Sequence, residues 1–146
     1  MAENPSQSQS WFSLLAQSGC RVTAPRRAIV ETILSSSKAL SPIEIFDISR
    51  RHYPQLGLVT VYRTLEKLEE LGLISHVHEG EGCHMVLRAA QGHEHLLICS
   101  GCGKSEYFSG DDLSSLENQV RNRTGYTIDD HWLQFSGLCP ACQKQF

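Results

Sequence analysis

Apolar residues recur at three- and four-residue spacing in four runs over the first half of the chain, which predicts four short helices. Trp11 to Ser18 gives the first, ended by Gly19. Thr23-Ala24-Pro25 opens the second, with proline near its first position, and Ile29, Val30, Ile33 and Leu34 form its apolar stripe. Ser41-Pro42-Ile43-Glu44 is a complete helix-start signature: Ser41 caps, Pro42 enters the first turn and Glu44 closes a capping box. Ile45, Phe46 and Ile48 supply the buried side of that third helix, which Tyr53-Pro54 stops. The fourth runs from about Val59 to Leu71, with Gly72 at its end. Val61, Leu65 and Leu68 face inward on it, while Tyr62 and Arg63 lie on the other face of the first turn.

From Leu73 the period falls to two. Leu73 to His78, a Glu-Gly-Glu-Gly turn over 79–82 and Cys83 to Leu87 predict a hairpin in which His78 faces Cys83. Helices followed by a hairpin are the order of a winged helix-turn-helix, whose last helix enters the major groove of DNA. Beyond it come a strand at Ser105 to Phe108 and a helix capped by Asp111 or Asp112 and ended by Gly125. Leu113, Leu116 and Val120 line that helix, and a long strand follows from Tyr126 to Ser136 with His131, Leu133 and Phe135 on one side. The expected fold class is α+β. A winged helix-turn-helix DNA-binding domain covers 11–82, a small α/β domain for dimerisation and metal binding covers 83–146, and the polar residues 1–10 form a disordered tail.

Charge and ligand-type residues divide along the same line. The chain of 146 residues has a net charge of −3, but residues 1–72 carry 8 Lys/Arg against 7 Asp/Glu and residues 73–146 carry 5 against 9. Five of the six cysteines and six of the seven histidines lie beyond residue 72. The first half is thus mildly basic, with Arg21, Arg26 and Arg27 clustered before and within the second helix, suited to phosphates. Tyr62 and Arg63 are the expected base or phosphate contacts of a double-stranded DNA partner. No apolar run is long enough to span a membrane and no secretory leader is evident at Met1 to Ser10, so a cytoplasmic, reducing setting is expected.

Cys99-x-x-Cys102 and Cys139-x-x-Cys142 are two matched pairs with 36 residues between them. Two thiolates spaced in this way reach one ion from a tight turn, and two such turns complete a tetrahedron that suits Zn²⁺. Cys99, Cys102, Cys139 and Cys142 are therefore expected to hold a structural zinc. A disulfide pairing disagrees with a reducing compartment, and a redox CxxC with the presence of two pairs. A half-chain of this size buries little core, so a metal staple and a second copy are both expected, the latter as a homodimer that matches two-fold related DNA half-sites. Further ligand types remain: His76, His78, Cys83, His84, His93, His95 and His131, with Glu94 and Glu106 nearby. From these, His78, Cys83, His93, His95 and His131 are the candidates for a second, regulatory divalent metal site, with Zn²⁺ as its expected ion.

Three stretches, Gly57-Leu58-Val59-Thr60-Val61-Tyr62-Arg63-Thr64-Leu65, His93-Glu94-His95-Leu96-Leu97-Ile98-Cys99-Ser100-Gly101-Cys102-Gly103 and Gly137-Leu138-Cys139-Pro140-Ala141-Cys142, are similar to the ferric uptake regulator family. The resemblance covers about residues 11 to 142. It implies a homodimeric repressor that binds A·T-rich palindromic operators when metallated, with Arg21 reaching the minor groove and Tyr62 and Arg63 contacting DNA from the recognition helix. The family's His-x-His ends three residues before the first cysteine, whereas His95 is four before Cys99. Counted without a gap, His93, His95 and His131 resemble the family's second accessory site; counted with one inserted residue, His93 and His95 resemble its hinge sensor site. Ala39 stands near a position where iron and peroxide sensors often have a histidine, and Cys83 lies in the hairpin. The zinc uptake branch is therefore the expected one, with iron, manganese and peroxide branches open. Two other classes compete: a zinc hydrolase with Glu94 or Glu106 as base, and a zinc-clasped protein-interaction module.

Overall fold

The computed structural model describes residues 5–78, 84–110 and 112–144. The chain divides into two compact units, 1–89 and 90–146. In the first, α1 (Pro5–Gln17), α2 (Ala24–Ser35), α3 (Pro42–His52) and α4 (Leu58–Glu70) precede a hairpin of β1 (Ile74–His78) and β2 (His84–Arg88). Leu15, Ile29, Val30, Ile45, Val61 and Leu68 are completely buried together between them. Each such side chain contributes roughly 1.5–3 kcal/mol on leaving water.

Local signals set the helix ends. Ser41 Oγ accepts from the Glu44 amide at 3.2 Å, and Glu44 Oε2 accepts from the Ser41 amide at 2.8 Å, which is the expected capping box. Gly19 and Gly72 follow α1 and α4 with φ of 78° and 66°, where a side chain would be strained. Buried polar groups are paired across helices: Thr32 Oγ1 lies 2.9 Å from Ser49 Oγ and donates to the Ala28 carbonyl at 2.8 Å.

Three expectations for this unit need correction. α1 begins at Pro5, so helix extends into the residues expected to form a disordered tail. The unit boundary lies after Ala89 rather than at 82, because β2 pairs with β1 and belongs to the wing. The hairpin register pairs His78 with His84, not with Cys83, which lies outside the described residues. A non-local lock sets that register. Val86 exchanges both backbone hydrogen bonds with Leu40, at 2.8 and 2.9 Å, and is buried in the core with Ile74.

The second unit is a three-stranded sheet with order β4-β3-β5, in which β3 (Glu94–Cys99) lies between antiparallel β4 (Ser105–Ser109) and parallel β5 (Gln134–Gly137). Between β4 and β5 runs α5 (Ser114–Thr124), and α6 (Pro140–Gln143) ends the description. Asp112 receives the Ser114 amide and hydroxyl, both at 2.8 Å, at the start of α5, and Gly125 ends it at φ 75°. The expected strand over 126–136 is reduced to β5. Asp130 Oδ1 accepts the His131 amide at 2.8 Å, so this side chain takes the donor a ladder would need. The expected inner face of α5 is also corrected: no residue of the helix is buried within the chain, and Leu116 remains 56% exposed.

Candidate metal centres and nucleic-acid interface

α4 begins at Gly57 without a side-chain cap and with no acidic residue in its first turn. Its positive dipole end is therefore open to an anion, with the Thr60 amide already bonded to the Gly57 carbonyl at 3.0 Å. Val61, Thr64, Leu65 and Leu68 turn into the core, which forces Val59, Tyr62 and Arg63 outward. Tyr62 and Arg63 are thus exposed on the helix preceding the wing. Arg21 is also exposed in the segment between α1 and α2. Arg26 and Arg27 face their own chain: Arg26 Nη1 donates to the Arg21 carbonyl at 2.6 Å, and the Arg27 guanidinium sits 4.5 Å from the Phe12 ring centroid.

The four cysteines from two separate turns meet. The sulfurs of Cys99, Cys102, Cys139 and Cys142 lie within 4.8 Å of one another, with Cys102 and Cys139 3.8 Å apart. β3 delivers Cys99 and α6 delivers Cys142, and the Cys139 amide donates to Cys99 Sγ at 3.2 Å. Gly101 permits the approach, since a Cβ there would come within 3.1 Å of Cys142 Sγ and 3.2 Å of Leu138 Cδ2. The backbone amides of Cys139 and then Cys102 lower the Cys99 thiol to about 6. The neighbouring sulfurs of Cys139, Cys102 and Cys99 raise Cys142 to about 12. Ionising all four sulfurs together therefore needs a cation among them, and a soft, tetrahedral donor set fits Zn²⁺. This expected site is assembled with the four residues read from the sequence.

The regulatory candidates are only partly gathered. His95 and His131 come together, with ring centroids 5.5 Å apart. His95 pairs with Phe108 across β3 and β4, is only 4% exposed, and has a buried Nε2 without a hydrogen-bond partner. A Cβ on Gly110 would overlap its ring, so a glycine makes room for it. His131 Nδ1 lies 2.9 Å from Glu117 Oε1 on α5. Sequence reasoning missed Glu117. Its signal was its place on the Leu113/Val120 face of α5, the apolar face on which it is the carboxylate. His93 precedes β3 with its side chain exposed, and its carbonyl accepts from the Gly110 amide at 2.9 Å. The Asp112 carboxyl beside it is lowered chiefly by the Ser114 amide and least by His93. His78 ends β1, and Cys83 is not among the described residues. The acids proposed as a hydrolytic base serve local contacts: Glu94 Oε2 accepts the Gln91 amide at 3.0 Å, and Glu106 lies 3.4 Å from Lys104.

A winged helix with an exposed reading face, followed by a small α/β unit clasped by four thiols, defines the class of metal-dependent DNA-binding regulators of transcription. The model of the ferric uptake regulator family matches residues 17–136. A ferric uptake regulation protein of Legionella pneumophila is 33% identical over 131 residues, spanning 88% of this chain and 96% of that one. A peroxide-responsive repressor of Staphylococcus aureus is 26% identical, spanning 90% of this chain and 88% of that one. Among solved structures, a zinc uptake regulator complexed with zinc and DNA superposes with a TM-score of 0.73 at 21% identity, over 99% of this chain and 97% of that one, a likeness that carries the fold. The chain belongs to the ferric uptake regulator family. Among the described residues no helix is long and apolar enough to cross a membrane.

Proposed function

We propose that the protein is a zinc-responsive repressor that binds a palindromic A·T-rich operator as a homodimer. Arg21, Tyr62 and Arg63 contact the duplex, and a structural Zn²⁺ is held by Cys99, Cys102, Cys139 and Cys142. The observation that carries the metal response is His95, a buried imidazole with an orphaned nitrogen beside the His131–Glu117 pair. A buried polar atom without a partner costs about 1–3 kcal/mol, and coordination relieves that cost. His95 offers Nε2. His131 gives its Nδ1 proton to Glu117, which fixes the tautomer and leaves Nε2 as the second donor. His93 stands close enough on the chain to complete the set. When bound, the ion supplies a charge that draws these donors together, and its effect falls on the elements that carry them. β3, α5 and the 126–133 segment are tied into one body.

Dimerisation fits the surface of the same unit. Leu97, Leu116, Trp132 and Phe135 are exposed apolar side chains, more than a unit this small leaves in water without a partner. A second copy across a two-fold axis covers them and presents two recognition helices to two half-sites. Metal that orders the second unit thereby raises operator affinity through the dimer, a coupling between two sites.

A ferrous reading is the alternative with its own support, because a set of imidazoles also suits Fe²⁺ and no thiolate stands among these donors. DNA affinity measured against free Zn²⁺, Fe²⁺ and Mn²⁺ under reducing conditions, with the structural zinc retained, separates the two. Zinc-dependent binding is expected, and a response to iron alone would replace the zinc reading. A Cys83→Ser protein with an unchanged metal response would remove the hairpin thiol from the regulatory site.

A further inference from the structure

The segment that joins α1 to α2 carries Arg21, assigned above to DNA. Its first end is pinned, since Gly19 adopts a φ of 78° and the Cys20 amide donates to the Leu15 carbonyl at 3.0 Å. Its second end is held less firmly, because Thr23, at the N-cap of α2, makes no side-chain capping bond. Between the two ends the Arg21 carbonyl accepts from Arg26 Nη1 at 2.6 Å. Arg26 is half-buried, and its Nε is buried with no hydrogen-bond partner. Such an arrangement persists only if the rest of the guanidinium is well bound, and a short, charge-assisted bond to a carbonyl answers that need.

The position of this carbonyl matters because the peptide unit is planar. Holding the oxygen of residue 21 fixes the plane that follows it, and with it the chain path from which the Arg21 side chain departs. We propose that Arg26 is a positioning residue: it acts on DNA through Arg21, holding the Arg21 carbonyl so that the 20–23 segment is ordered before the duplex arrives. Arg26 neutralises no phosphate of its own. A residue already ordered in the free protein does not lose that freedom on binding, so the tether converts into affinity. The inference rests on the DNA-binding reading for its consequence, but the ordering itself belongs to the free protein.

The test uses the full chain loaded with zinc, and an A·T-rich inverted-repeat duplex as probe. Arg26→Ala is expected to weaken binding about tenfold in the wild-type background. In an Arg21→Ala background the same change is expected to cost less than about twofold, because its target is gone. Arg26→Lys, which keeps one donor, restores part of the loss. The slope of log affinity against log salt is expected to be the same for Arg21→Ala and for the double variant. Equal losses in both backgrounds, with the slope reduced by about one for Arg26→Ala, would mean a direct phosphate contact and overturn the proposal. In the free protein, amide exchange at Val22 and Thr23 is expected to speed up in Arg26→Ala at unchanged melting temperature; unchanged exchange overturns it as well. If the wild type bound no duplex the DNA reading would fall, while the exchange measurement would still decide whether Arg26 orders the segment.

Discussion

Replacing His95 by leucine is expected to change little in the metal-free protein and to cost the metal-loaded protein much of its added stability. In the structure the imidazole is 4% exposed, and its Nε2 has no partner. Removing a buried, unsatisfied nitrogen while keeping a similar volume returns about 1–3 kcal/mol. Against this stand the ring contacts with Phe108 at 5.6 Å and His131 at 5.5 Å. Aromatic contacts of this kind contribute about 0.5–1.5 kcal/mol beyond area, and leucine loses them. Two such contacts together amount to about 1–3 kcal/mol, so the two terms largely cancel and the variant is expected within about 2 kcal/mol of the wild type when only the structural zinc is present. For a unit of this size each kcal/mol moves the midpoint by about 4–8 °C.

The loaded form carries the larger difference. A ligand at a hundredfold excess over its Kd stabilises the folded state by about 2.7 kcal/mol, and a variant without the donor forgoes most of it. The assay is thermal unfolding of the wild type and His95→Leu, each with structural zinc retained, across a titration of free Zn²⁺. The expected pattern is a variant that melts close to the wild type without added metal and well below it when metal is saturating. A variant less stable in the metal-free form, yet still shifted upward by metal as the wild type is, would refute the reasoning, because His95 would then be a packed core residue and not a ligand.

Gly110→Ala, which sets a methyl group against the same ring, is expected to weaken metal binding by at least tenfold in a metal titration while leaving the first unit's unfolding unchanged. Cys142→Ser removes one of the four sulfurs, and the second unit is expected to lose its zinc and its fold together, as read by metal content and circular dichroism. Arg63→Ala is expected to cost roughly 1–3 kcal/mol in operator binding, measured by fluorescence anisotropy, with the dimer intact by sedimentation. Ser41→Ala removes the cap of α3 at a cost of about 1 kcal/mol in denaturant unfolding. The Glu44 carboxyl is lowered chiefly by the Ser41 amide, so its contribution is present above the carboxylate's ordinary range and lost as pH falls through the folded value. The difference between wild type and Glu44→Gln is therefore expected to shrink on acidification below about pH 4.

What could be read from the sequence followed the range of the interaction. The α3 capping box and the inward stripe of α4 depend on residues within a few positions, and both stand where the pattern put them. The zinc clasp crosses a longer gap, but each of its turns is local and carries its own signature. The hairpin register was misread because it is fixed by Leu40, far upstream, which bonds to Val86. Glu117 escaped notice because its partner His131 lies 14 residues away across a non-strand segment that alternates as a strand does. The apolar stripe of α5 was found, but periodicity reports only that a face is apolar, not what covers it.

That uncovered face bears on why the metal sites sit where they do. In the second unit the buried side chains include Leu96, Ile98, Cys99, Cys142 and His95, a core in which thiols and an imidazole stand beside aliphatics. Such a core supplies little hydrophobic stabilisation, and α5 contributes no buried residue to it. On the function proposed above, stability comes also from coordination and from a second copy, both of which bind only the folded form and so shift its population by mass action. The first unit, with its continuous core around Ile29, Ile45 and Leu68, needs neither. On that proposal the reading helix, packed on its own core, is expected to stay folded with or without metal. The same proposal leaves to metal the part of the chain whose order would decide whether two reading helices act together, and the divided stability would then be what makes a response to metal possible.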